Sequence, residues 1–89
     1  MEQEKEFEIK NKLGLHARPA SLLVKMIKQH RSQVFIEKNG EVIDGRSILS
    51  LLALAGEPGS ALKFKISGED APELMRKIEV FFKNRFNEE

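Results

Sequence analysis

Ala71, Leu74, Met75, Ile78, Phe81, Phe82 and Phe86 recur near the C-terminus at the spacing of one helix face. A chain that carries such a stripe must offer it an extended apolar surface, and the rest of the sequence has the material for one. Phe7 and Ile9, then Val34 and Ile36, then Leu62, Phe64 and Ile66 alternate with polar neighbours, as strands with a single buried face do. Asn39-Gly40 between Ile36 and Val42 is a tight-turn signal joining two of those strands into a hairpin. A first strand around Phe7 and Ile9 ends at an Asn11–Gly14 turn. A helix over Ala17–Gln29 follows, with Ala20, Leu23, Val24 and Ile27 on its inner face; a short helix over Ser47–Leu54 and a strand over Ala61–Ser67 precede the final helix. For that helix Asp70, with Glu73 three positions on, has the pattern of a capping box, and Pro72 suits its first turn. The order β-α-β-β-α-β-α predicts an α+β fold, an open-faced sandwich in which three helices cover one face of a four-stranded antiparallel sheet. At 89 residues and 40% apolar content, the chain is expected to form one small domain over 1–89, burying about two thirds of its unfolded surface.

The chemistry concentrates in Gly14-Leu15-His16-Ala17-Arg18-Pro19-Ala20. Pro19 lacks an N–H that would in any case be unpaired in a first turn, so the helix starts near Ala17 with His16 just ahead of it. Amides at such a start, that of Ala17 among them, point outward without partners, and the helix dipole adds partial positive charge. An anion attached to His16 would meet those donors and the Arg18 guanidinium. The same field disfavours a charged ring, and only a neutral ring nitrogen is a nucleophile.

Charge distribution supports a partner-facing role. From Ile9 to Ile36 there is no Asp or Glu, while Lys10, Lys12, Arg18, Lys25, Lys28 and Arg31 are all basic, although the whole chain balances 15 basic against 14 acidic residues. That asymmetry steers an acidic partner or a phosphorylated donor toward His16. No acid, base or metal ligand stands near His16 in sequence, which suits a carrier that leaves the transition-state chemistry to others. With two histidines and no cysteine, no metal site and no cofactor are expected, and disulfides are excluded. Nucleic-acid binding is disfavoured because the basic segment lacks Trp and Tyr to stack on bases. No apolar run reaches the roughly 20 residues of a membrane span, and the polar, acidic N-terminus is unlike a signal peptide, so a soluble, cytoplasmic protein is expected.

Ile48, Leu49, Leu51, Leu52, Ala53 and Leu54 make the second helix apolar on every side. Leu51 and Leu54 fit a core-facing edge, leaving Ile48, Leu49 and Leu52 as a candidate docking patch. Ser47 is placed to cap this helix, and His30 to close the first.

The run Asn11-Lys12-Leu13-Gly14-Leu15-His16-Ala17-Arg18-Pro19-Ala20, with Gly45-Arg46-Ser47-Ile48-Leu49-Ser50-Leu51-Leu52, closely resembles the HPr family, the histidine-containing phosphocarriers of the phosphoenolpyruvate-dependent phosphotransferase system. The resemblance implies the same fold. It implies that His16 takes a phosphoryl group on Nδ1 from Enzyme I and passes it to IIA components, with Arg18 and the Ala17 amide holding the phosphoryl oxygens. It makes Ile48, Leu49, Leu52 and Ser21 the partner-binding residues. Ser47 matches the serine that an HPr kinase/phosphorylase modifies in many relatives, some of which then engage a transcriptional regulator. The Asn11–Gly14 and Phe86–Glu89 segments look like the nitrogen-related branch, a mainly regulatory alternative. Leu49 and Leu52 stand where methionines are frequent, and Ser50 and Ala55 where glycines are; these departures bear on partner choice.

Overall fold

A computed structural model describes residues 1–54 and 56–88. The elements are β1 (Glu2–Glu8), α1 (Ala17–Lys28), β2 (Gln33–Lys38), β3 (Glu41–Asp44), α2 (Ile48–Leu54), β4 (Ala61–Ser67) and α3 (Ala71–Lys83), followed by a 3-10 turn at Arg85–Asn87. The four strands form one antiparallel sheet in the order β1-β4-β2-β3. Register is set by apolar pairs on the covered face, among them Phe7 opposite Leu62, Ile36 opposite Phe64 and Val34 opposite Ile66. A slip of one residue would turn each of them to water. The expected element order and antiparallel sheet are both present, with the helices over the buried side of the strands.

Local chemistry accounts for most boundaries. Asn39 (φ 52°) and Gly40 (φ 87°) are both left-handed, which a two-residue turn between twisted strands requires. Ala20, Leu23, Val24 and Ile27 are buried on α1, and Leu51 and Leu54 on α2. α1 ends at Lys28, one residue short of the expected end; Gln29 serves as its C-cap. Strand β1 begins five residues before Phe7, because its outer half is held by the backbone ladder from Glu2 opposite Ser67 onward and needs no apolar alternation. Ala55, one of the departures noted above, and Glu89 lie outside the described residues.

Two expectations about α3 need correction. Asp70 occupies the N-cap position but makes no side-chain cap, and Glu73 pairs instead with Lys77 at 3.3 Å. The Asp70 carboxylate faces the start of β2, where it accepts hydrogen bonds from the backbone N–H of Arg31 (2.9 Å) and of Ser32 (3.0 Å) and from the Ser32 hydroxyl. A long-range clamp has replaced a local cap. The Ser32 hydroxyl bond and the Arg31 amide hold the Asp70 carboxyl down at about 2. Since the unfolded chain binds that proton near pH 4, stability is expected to fall as pH drops from about 4 to 2. Asp70→Asn should flatten that part of a denaturation-midpoint profile and lower the midpoint at pH 7.

Phe86, read as the end of the α3 stripe, lies beyond the helix. The chain leaves α3 at Lys83 and turns through Arg85 (φ 51°), Phe86 (φ 61°) and Asn87 (φ 60°), three left-handed residues without a glycine. Such residues cost about 1–2 kcal/mol each. Burial of Phe86 offsets that cost: it is 1% exposed, with its ring 5.1 Å from that of Phe81 and 5.0 Å from that of Phe82. The hook aims the next residue, Glu88, at the start of α1. No helix among the described residues is long and apolar enough to cross a membrane.

Candidate functional site

The loop between β1 and α1 is held from below. Leu15, buried, donates its N–H to the Gly56 carbonyl at 2.7 Å. Gly14 has φ 67°, and a Cβ there would sit 2.2 Å from that same carbonyl oxygen, so only glycine fits. His16 follows in extended conformation (φ −87°, ψ −170°) at the N-cap of α1, where its carbonyl accepts the Ala20 N–H at 3.0 Å. The Ala17 and Arg18 amides have no acceptor among the described residues, and no acid stands in the first turn. The helix start therefore presents two unpaired donors beside a half-buried imidazole, as its sequence suggests.

What the sequence reading lacked is a carboxylate, and the expectation of a ring with no acid beside it is corrected here. Glu88 Oε2 accepts from His16 Nε2 at 2.8 Å and from Arg18 Nη2 at 3.0 Å, across 72 and 70 positions of sequence. Its Oε1 accepts from Asn11 Nδ2 at 2.9 Å. Asn11 is buried, and its amide also donates to the Gly14 carbonyl at 2.9 Å, so the residue ties the loop to the C-terminal hook. Asn11 Oδ1 is left without a partner among the described residues. Burial pushes the Glu88 carboxyl up, but hydrogen bonds from His16, Arg18 and Asn11 outweigh it and hold it below the ordinary value.

That ionised carboxylate fixes the imidazole. A carboxylate can only accept, so Nε2 carries the hydrogen, and on the neutral ring the lone pair is left on Nδ1. Nδ1 has no partner among the described residues. Three consecutive residues thus carry an uncommitted ring nitrogen, two unpaired amides and a guanidinium.

Comparison with known proteins matches residues 3–84 to the family model described as PTS HPr component phosphorylation site. The chain belongs to the PTS HPr family of phosphocarriers. It is 35% identical over 86 residues to the phosphocarrier protein HPr of Xylella fastidiosa, covering 97% of each chain. It is 40% identical over 78 residues to the HPr-like protein Crh of Halalkalibacterium halodurans, covering 88% of this chain and 93% of that one. Its fold superposes on the crystal structure of an HPr from Thermoanaerobacter tengcongensis with a TM-score of 0.93 at 34% identity, covering 98% of both.

On this HPr fold, the other singled-out residues fall into two groups. Leu49 is 78% exposed and Leu52 37%, while Ile48 packs partly into the core, so the open patch is narrower than the three residues expected. Ser21, exposed on α1, lines a shallow depression with Ile48, Lys25 and Lys28, which joins α1 and α2 into one surface. Ser47 caps α2 as expected: its Oγ accepts the Ser50 N–H at 3.2 Å and donates to Ser50 Oγ at 2.9 Å. His30 is a packing residue. Its Nδ1 donates to the Met26 carbonyl at 2.9 Å and its Nε2 accepts from Lys77 at 3.4 Å, so both ring nitrogens are engaged.

Proposed function

We propose that His16 is the phosphoryl acceptor, taking the group on Nδ1 from Enzyme I and passing it to IIA components. The observation that carries this reading is the His16–Glu88 hydrogen bond, which leaves the lone pair on Nδ1. In the step, the Nδ1 lone pair forms a bond to phosphorus as phosphorus parts from the donor's leaving atom, which keeps the bonding pair. The phosphoryl oxygens then meet the Ala17 and Arg18 amides, and the Arg18 guanidinium exchanges Glu88 for them. Leu49, Leu52 and Ser21 are the partner-facing surface of this reading, with the basic residues around His16 drawing acidic partners in. Phosphorylation of Ser47 by an HPr kinase/phosphorylase would break its bonds to Ser50 and put a dianion beside that patch. The charge would slow docking of an acidic Enzyme I and could recruit a transcriptional regulator. Mixing the protein with phosphoenolpyruvate and Enzyme I should add one acid-labile phosphoryl group by intact mass, and adding a IIA component should discharge it. Failure to accept the group would end the carrier reading.

Glu88 has an opposing part in this cycle. Its carboxylate orients the ring before transfer, but afterwards it competes with the phosphoryl group for Arg18 and repels it. Glu88→Gln is therefore expected to shift the phosphoryl equilibrium with Enzyme I toward the charged carrier by about five-fold, a size typical of a partly screened charge pair. Quench-flow measurement of both directions of transfer would check it.

A further inference from the structure

The face of α1 turned away from α2 borders a second surface. Between α1 and α3 runs an open groove of about 530 Å³. Its floor is apolar: Leu22 is 37% exposed and Val80 49%, with Met26 and Phe81 beside them. Its rim is cationic, with Lys25 on α1 and Arg76 and Lys77 on α3, and no carboxylate lines it. Lys77 is engaged by Glu73, but Lys25 and Arg76 hold no ion pair among the described residues. Exposed apolar residues rimmed by charge of one sign mark an interaction surface, and here the sign names the partner.

We infer that this groove receives an acidic amphipathic helix of a partner protein. Leu22 and Met26 stand one turn apart on α1 with Val80 across from them, so a guest helix can set its apolar anchors, spaced i, i+3, i+4 and i+7, along the floor. Its carboxylates then reach Lys25 on one side and Arg76 on the other. A small anion gains nothing from the apolar floor, and a basic helix is repelled by the rim. Gln29, Asn84 and Asn87 give the groove polar ends. Asn87 directly precedes Glu88, so the occupant lies against the hook that holds His16 while leaving Leu49 and Leu52 uncovered. The groove shares Lys25 and Gln29 with the depression at Ser21 but takes in none of Ser21, Leu49 and Leu52, and the inference does not depend on the carrier reading.

A synthetic helical peptide with Leu anchors at that spacing and Glu on both flanks is the probe, titrated into isotope-labelled protein and followed by NMR. Shifts are expected at Leu22, Met26, Gln29, Val80 and Asn84. Affinity should fall by about ten-fold or more in Val80→Glu and in Arg76→Glu, and should weaken with added salt. Val80→Glu should leave phosphoryl acceptance unchanged, and Leu49→Glu should leave peptide binding unchanged, so that failure here and failure of the carrier reading are told apart. The inference is overturned if the peptide does not bind, if its shifts centre on Leu49 and Leu52, or if a Lys-for-Glu peptide binds equally well. It is equally overturned if the groove takes up vesicles of anionic phospholipid and not the peptide.

Discussion

His16→Ala protein, mixed with phosphoenolpyruvate and Enzyme I, is expected to stay at its unmodified mass while the parent chain gains one acid-labile phosphoryl group. No second nitrogen can substitute. The other histidine, His30, is 8% exposed and has both ring nitrogens committed, Nδ1 to the Met26 carbonyl and Nε2 to Lys77. The loss should be complete, with stability changed by no more than about 1 kcal/mol, because the ring is part-exposed and its deletion opens no core cavity. Acid-labile phosphate on the variant at the parent's rate would remove His16 from the reaction.

Phe86→Ala should cause the largest loss of stability among substitutions around the site. Deleting a fully buried phenylalanine costs about 3–5 kcal/mol, which in a domain of this size lowers the melting temperature by roughly 15–25 °C. The ring also has a second task. It anchors the left-handed run Arg85–Asn87, and without it that run is free to relax to right-handed conformations and draw Glu88 off Asn11, His16 and Arg18. Phe86→Ala is therefore expected to loosen the Glu88 contacts as well, read as a changed environment of the His16 ring by NMR at a temperature where the variant is folded. Phe86→Leu, which keeps most of the volume, should cost less than about 1.5 kcal/mol and leave the hook in place. An unchanged melting temperature in Phe86→Ala would show that the hook is held by something else.

The contrast between His16 and Glu88 shows what the sequence made legible. The histidine is announced locally: Gly14 before it, Pro19 after it and an apolar stripe beyond are short-range signals with short-range causes. The strand and helix faces are legible for the same reason, since alternation in β4 and helical spacing in α3 report burial directly. Glu88 carries no such mark. Its position depends on three consecutive left-handed residues, none of them glycine, which are tolerated because Phe86 is buried among Phe81 and Phe82; no local pattern encodes that balance. Asp70 errs in the opposite way. Its spacing to Glu73 fits a capping box, yet the unpaired amides of Arg31 and Ser32, distant in sequence, are the donors it satisfies. In both cases a side chain with a plausible local reading is claimed by a partner on another element. Ile48 differs for a packing reason, because a two-turn helix lying between core and solvent leaves its first residue half covered.

Phosphoryl acceptance turns on which nitrogen of His16 is free, and nitrogen-15 NMR of the imidazole measures this directly, before and after phosphorylation by Enzyme I. The unmodified ring is predicted to carry its hydrogen on Nε2, and the phosphorylated ring to show nitrogen–phosphorus coupling at Nδ1. Coupling at Nε2, or a phosphorylated protein in which the His16 ring is unmodified, would contradict it.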